Sequence, residues 1–261
     1  MTATSEQTLH LWEKKVTAHV KVAGQGPALV YLHSGYGLVW DDMLDLLARD
    51  FTVYAPEHPG TSAGDPDAVK PLEDLWDLTL YYYEMFDQLR LEAPAVVGHS
   101  FGGMVAAEIA ANNPRRVSRL VLIDSLGLWL DSAPIKNYMV TPQAQLDPLF
   151  FHDTNHPARK HIFMNLEDPE SVIRVTWALG CSGKYIWPIP DKGLRKRLHR
   201  IAAPTLLIWG KEDGLTKPVY ADEFKKLIPG ARIEAVANAA HMAPLEQPQA
   251  VSKLIREFLK H

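Results

Sequence analysis

Hydrophobic and polar positions fall into two rhythms along this 261-residue chain. Thr8-Leu9-His10-Leu11-Trp12 and residues 16–22 alternate, as strands with one covered face do. After the turn signal Gly24-Gln25-Gly26-Pro27 the alternation stops. Continuous apolar runs take over at residues 28–32, 51–55, 94–98 and 118–123. An uninterrupted run predicts a strand buried on both faces, the mark of a parallel sheet. Helical patterns separate the runs. A short one covers 40–48. A long one opens at Pro71 and reaches about residue 91, with Leu75, Leu78, Tyr82, Met85, Phe86 and Leu89 on one face. A third covers 101–112, with Pro114 just past its end. Near the C-terminus the rhythm repeats: a strand at 204–210, a helix at 219–227, a strand at 231–236 and a closing helix at 247–260.

Residues 125–200 break this order. They hold prolines, aromatics and short helical patterns, and no apolar β run. Strand alternating with helix predicts an α/β fold with a mostly parallel central sheet and helices on both faces. Residues 1–124 and 201–261 would form the core domain, and 125–200 a helical cap inserted after the sixth strand. Ligands of such sheets bind beyond the carboxyl ends of the strands. An insertion that leaves from a carboxyl end would therefore lie over the site.

Composition narrows the partners. The chain is 47% hydrophobic and 22% charged, ordinary for a protein with one sizeable core. A net charge of −4 argues against nucleic acid. The single cysteine, Cys181, excludes an intramolecular disulfide framework and fits a reducing, cytoplasmic setting. The N-terminus has neither the basic nor the apolar region of a secretion signal, and no apolar run approaches a membrane span. The expected partner is a small-molecule substrate, with no membrane and no cofactor, in a monomer or homodimer.

The chemistry concentrates where the third apolar run meets the third helix. Gly98-His99-Ser100-Phe101-Gly102-Gly103 is a G-x-S-x-G motif in strand–turn–helix context. Small flanking residues permit the sharp turn that would present the Ser100 hydroxyl. A serine attacks only when a base takes its proton, and the base needs an acid to orient it. Asp213, in Gly210-Lys211-Glu212-Asp213, and His241 each follow a strand and complete the order Ser, Asp, His. Asp124, at the end of the strand before the insertion, is the rival acid; Glu212 should point elsewhere. The developing oxyanion needs two donors. The N–H of Phe101 is one. The other comes from His33-Ser34-Gly35-Tyr36-Gly37, with Gly35 the first candidate and Tyr36 the alternate. Tyr36, His99 and the insertion's Trp187 are candidates for substrate contact, and His58 lies on the next loop. The insertion is rich in aromatics; most should pack its own core and its contact with the main domain, and the rest would line an apolar pocket over Ser100.

Other patterns weigh less. His152-Asp153-Thr154-Asn155-His156 imitates a zinc motif but precedes Pro157, which disfavours the helix such a site needs, so no metal is expected. The basic run 192–200 reads as a solvated helix face. Arg159 and Arg174 are candidate binders of a substrate carboxylate.

Together these motifs resemble the α/β-hydrolase family over nearly the whole chain: His33-Ser34-Gly35, the Ser100 elbow, Gly210-x-x-Asp213, and His241 before a last helix. One departure is Ser34, where the family usually has glycine. The resemblance implies a serine hydrolase cleaving small to medium carboxylic esters through an acyl-enzyme. Haloalkane dehalogenases of the fold carry an aspartate nucleophile, unlike Ser100. Carbon–carbon bond hydrolases of meta-cleavage diketo acids are the second reading. Many of them have asparagine before the serine and tryptophan after the base, where this chain has His99 and Met242. A third is a ligand receptor of the same fold with little turnover.

Overall fold

The computed structural model describes residues 3–61 and 65–260. The alternating N-terminal stretches form β1 (Ser5–Leu11) and β2 (Val16–Ala23). The later strands are β3 (Ala28–Leu32), β4 (Thr52–Pro56), β5 (Ala95–His99), β6 (Arg119–Ile123), β7 (Thr205–Gly210) and β8 (Arg232–Val236). They form one sheet in the order β1-β2-β4-β3-β5-β6-β7-β8. β2 pairs antiparallel with β1 and β4, and all other pairs are parallel.

Side chains that alternate along the central strands feed two cores, one on each face of the sheet. Val30, Leu32, Val96, Leu120, Leu122 and Leu207 face α2 (Leu75–Gln88), α3 (Phe101–Asn112) and α7 (Val219–Leu227). Leu29, Tyr31, Val97, Val121, Ile123 and Ile208 face α1 (Asp42–Leu47) and α9 (Pro248–Leu259). The two faces explain why these runs carry no polar interruption. α2 begins later than the apolar pattern suggests. Asp74 caps it, accepting from the N–H groups of Trp76 and Asp77, and leaves 71–73 outside. α3 is buried from Phe101 to Ala111, with glycine and alanine at Gly102, Gly103, Ala106, Ala107 and Ala110 letting it press on the sheet. Its one charged residue, Glu108, is paired with Arg197 at 2.6 Å.

Between β6 and β7 lie α4 (Gln143–Phe150), α5 (Arg159–Ile162) and α6 (Pro169–Ile186). This helical insertion follows the sixth strand. Its 18-residue α6 is longer than the short patterns expected there. The basic run 192–200 is not a solvated helix face. It forms 3-10 turns at Leu194–Lys196 and Leu198–Arg200, with both leucines buried. Arg195 pairs with Glu223, Arg197 with Glu108, and Arg200 donates to Ala111 O. These partners sit on α3 and α7, so the guanidinium groups close the insertion onto the core. Among the described residues, no helix is long and apolar enough to cross a membrane. α8 (Ala243–Glu246) is a single turn before α9.

Candidate functional site

β5 ends at His99 and α3 begins at Phe101, so Ser100 alone makes the turn. Its φ of 55° and ψ of −115° lie outside the regions an L-residue prefers, at a cost of about 1–3 kcal/mol. The surroundings hold it there. Ser100 N–H donates to Ile123 O (2.9 Å), and Ser100 O accepts from Leu126 N (3.1 Å) and Met104 N (3.2 Å). The flanking glycines are required by space. A Cβ at Gly98 would lie 2.3 Å from Gly102 O, and one at Gly102 only 2.1 Å from Leu32 O.

His241, on the loop after β8, comes to this turn. Its Nε2 lies 2.8 Å from Ser100 Oγ, and its Nδ1 lies 3.0 Å from Asp213 Oδ2. Asp213, on the loop after β7, is held in turn. Its Oδ1 accepts from Leu215 N (2.8 Å) and Thr216 N (2.9 Å), and its Oδ2 from the Thr216 hydroxyl (2.6 Å). His241 and Asp213 are fully enclosed, and Ser100 is 4% exposed. Asp124 is brought near but not to His241. It sits at the end of β6 with φ 45°, and its Oδ1 accepts from Gly210 N (2.8 Å). Burial, and then the charge of Asp213, push its carboxyl pKa well up.

The loop after β3 is braced from below. His33 donates from Nδ1 to Ser34 O (2.6 Å) and accepts at Nε2 from His58 N (2.9 Å). His58 donates from Nε2 to His33 O (2.9 Å), and its Nδ1 shares a hydrogen bond with the Tyr82 hydroxyl (2.5 Å). Accepting at Nε2 requires the His33 ring to be neutral. Burial favours that form: it lowers the pKa of His33, and it takes that of His58 to about 4. His58 is therefore bound up in the brace. Ser34, standing where the family usually has glycine, accepts from Tyr36 N at 3.4 Å through its hydroxyl. Among the described residues the N–H groups of Gly35 and Phe101 have no acceptor.

The other expected contacts divide. The Tyr36 ring packs edge-on against Phe150 of α4 (5.4 Å), and the same Phe150 meets His241 edge-on at 5.2 Å. His99 points elsewhere, donating from Nε2 to His241 O (2.8 Å); burial, and then His241, take its pKa down to about 3. It fixes the His241 loop. Trp187 ends α6, is 52% exposed, and lines a cavity together with Tyr138. Arg159 pairs with Asp147, and Arg174 donates to the carbonyls of His161 and Lys160, so both are engaged within the insertion. His152 and His156 lie in the irregular segment after α4.

Sequence reasoning passed over Glu246. This buried glutamate of α8 accepts from Ala240 N (2.8 Å), next to His241, and from His152 N (2.8 Å) and Asp153 N (3.1 Å) of the insertion. A glutamate before a helix-starting proline reads as solvated, and only the fold gathers its three donors.

Comparison with known proteins bears on this geometry. A sequence model of the alpha/beta hydrolase family matches residues 29–254. The dihydrolipoyllysine-residue acetyltransferase component of the acetoin cleaving system of Cupriavidus necator is 25% identical over 92% of this chain, and the chain spans 66% of that protein's length. The pimeloyl-[acyl-carrier protein] methyl ester esterase of Nitrosomonas europaea is 26% identical, aligned over 88% of this chain and 95% of the esterase. Among solved structures, the 2-hydroxy-6-oxo-6-phenylhexa-2,4-dienoate hydrolase of Rhodococcus sp. strain RHA1 superposes with a TM-score of 0.80 at 20% identity, covering 100% of both chains. That last likeness is one of fold.

Proposed function

Because the chain belongs to the alpha/beta hydrolase family, we propose that it is a serine hydrolase of small to medium carboxylic esters, with Ser100 as nucleophile, His241 as base and Asp213 as the acid that orients the base. The observation that carries this reading is the unbroken hydrogen-bonded path from Asp213 through His241 to Ser100. His241 Nε2 takes the hydroxyl proton as Ser100 Oγ adds to the ester carbonyl. The carbonyl π electrons move onto oxygen, which the free N–H groups of Gly35 and Phe101 receive. Collapse expels the alcohol, which leaves with the proton from His241. Water then gives a proton to His241 and attacks the acyl carbonyl, and Ser100 departs with that proton restored. Asp213 keeps Nδ1–H directed at itself, so Nε2 faces Ser100 with its lone pair.

The helical insertion acts in this reading as a cap. Phe150 and Tyr36 make the wall over His241 apolar, which suits the hydrocarbon part of an ester. Relatives include a methyl ester esterase and, at 24% identity, a 2-hydroxy-6-oxononadienedioate hydrolase, and the choice between them rests on the site. The engagement of Arg159 and Arg174, which leaves neither to bind a substrate carboxylate, supports ester chemistry over cleavage of a diketo acid.

Labelling with a fluorophosphonate probe tests the nucleophile. The wild type is expected to label and Ser100→Ala not to. A wild type that does not label defeats the reading. p-Nitrophenyl esters of rising acyl length, assayed beside a meta-cleavage diketo acid, test the substrate class. Faster turnover of the diketo acid would overturn the ester assignment.

A further inference from the structure

Tyr138 stands on the insertion just before α4, and a turn fixes its place in the chain. Asn137 Oδ1 accepts from Met139 N (3.1 Å), and Asn137 O accepts from Thr141 N (3.1 Å) and the Thr141 hydroxyl (2.7 Å). The ring is 6% exposed. It stacks on Tyr36 with centroids 5.9 Å apart, and it meets Phe150, the ring against His241, edge-on at 6.1 Å. Its hydroxyl has no hydrogen-bond partner among the described residues. Buried hydroxyls are nearly always satisfied, so an orphan inside a candidate site marks a position where a ligand atom belongs.

The hydroxyl reaches the loop that the oxyanion would use. A Cβ built on Gly35 would lie 3.4 Å from it. The Gly35 N–H also lacks an acceptor among the described residues. The same loop abuts the Ser100 turn, since a Cβ on Gly102 would lie 2.5 Å from His33 O. Two unused donors, one from the core and one from the insertion, therefore meet at a single glycine beside the nucleophile. Glycine is needed there: any side chain would enter the space between the loop, Tyr138 and Ser182, whose Oγ would lie 2.9 Å from that Cβ.

We propose that the Tyr138 hydroxyl is a third hydrogen-bond donor to the substrate's carbonyl oxygen, completing with Gly35 and Phe101 a site for the tetrahedral oxyanion that core and insertion build together. This rests on the serine-hydrolase reading. As Ser100 Oγ adds to the carbonyl carbon, the displaced electron pair settles on that oxygen, and the phenol donates to it while keeping its own proton. Burial pushes the phenol's pKa well up, which favours retention. The donor is fixed before the charge develops, so it favours the transition state over the bound ester.

Tyr138→Phe removes the oxygen and keeps the ring. With a p-nitrophenyl ester that the wild type turns over, kcat is expected to fall roughly 10- to 100-fold while KM changes less than about threefold. The affinity of a trifluoromethyl ketone, which forms a tetrahedral adduct on the serine, should fall by the same factor. The melting temperature should hold or rise, because an unsatisfied buried hydroxyl is gone. A variant with kcat within twofold of wild type, or one that weakens only KM and leaves the ketone's affinity intact, overturns the assignment of Tyr138 alone. A wild type that neither labels with fluorophosphonate nor turns over any ester overturns the serine-hydrolase reading itself, and the donor role with it.

Discussion

Two buried carboxylates compete for the task of orienting His241, and their surroundings differ. Asp213 faces three donors besides the imidazole: the N–H groups of Leu215 and Thr216 and the Thr216 hydroxyl. Both of its oxygens are thus engaged, and asparagine would keep only one of them. Asp124 receives one N–H, from Gly210, and Asp213 is its carboxyl neighbour. Its pKa is pushed up, first by burial and then by Asp213, which favours the neutral acid. Asparagine imitates a neutral acid and fails to imitate an anion. In the proposed mechanism, Asp213→Asn should therefore lower kcat by about 10³- to 10⁴-fold, and Asp124→Asn by less than about tenfold. Steady-state rates of both variants on one p-nitrophenyl ester decide this; equal losses would mean that the two acids share the role.

At the scale of elements, the loops after β3 and β4 form one unit through the paired imidazoles of His33 and His58. The folded state holds His58 neutral, with its pKa lowered to about 4, and the unfolded chain titrates near the ordinary value of about 6.5. Between those values the unfolded chain carries a proton that the folded protein refuses, so unfolding becomes easier as pH falls through this window. From pH 7 to pH 4.5 the residue should cost about 2–3 kcal/mol of stability. Asp41, the cap of α1, is pushed up to about 7 by burial and works in the opposite sense, so the comparison must be between proteins. Urea denaturation at the two pH values should show the wild type losing more stability than His58→Asn; parallel losses would refute the linkage. These loops were legible in the sequence because each closes an apolar run with histidine and glycine, joined after β4 by proline. The strands and Ser100 were legible for the same reason, since a run buried on both faces has one reading and a glycine-flanked serine at its end has few. α6 was not. Its buried face includes Ser171, Ser182 and Gly183, and its exposed face Ile173 and Trp177, so its polarity runs against the usual amphipathic pattern.

At the scale of the molecule, the insertion is hydrogen-bonded to each loop that carries a candidate residue. Gly214 N, beside Asp213, donates to Leu149 O (3.2 Å), and Met242 N, beside His241, donates to Phe150 O (3.0 Å). The Ser182 hydroxyl lies 3.2 Å from Gly35 O. The loops that carry Asp213, His241 and Gly35 are thus each tied to the segment between β6 and β7. Glu246 is the joint where this is most testable. Its carboxylate takes one N–H from the His241 loop and two from the chain leaving α4. Glu246→Ala leaves three N–H groups without their acceptor, each worth about 1 kcal/mol or more where water cannot replace it. Stability by urea denaturation should fall by about 3 kcal/mol. If the loop needs this tie to present His241, kcat for an ester should fall about tenfold more than for Glu246→Gln, whose amide oxygen still accepts. A stability loss under about 0.5 kcal/mol would place Glu246 among ordinary surface charges and would mean that the insertion covers the site without helping to set it.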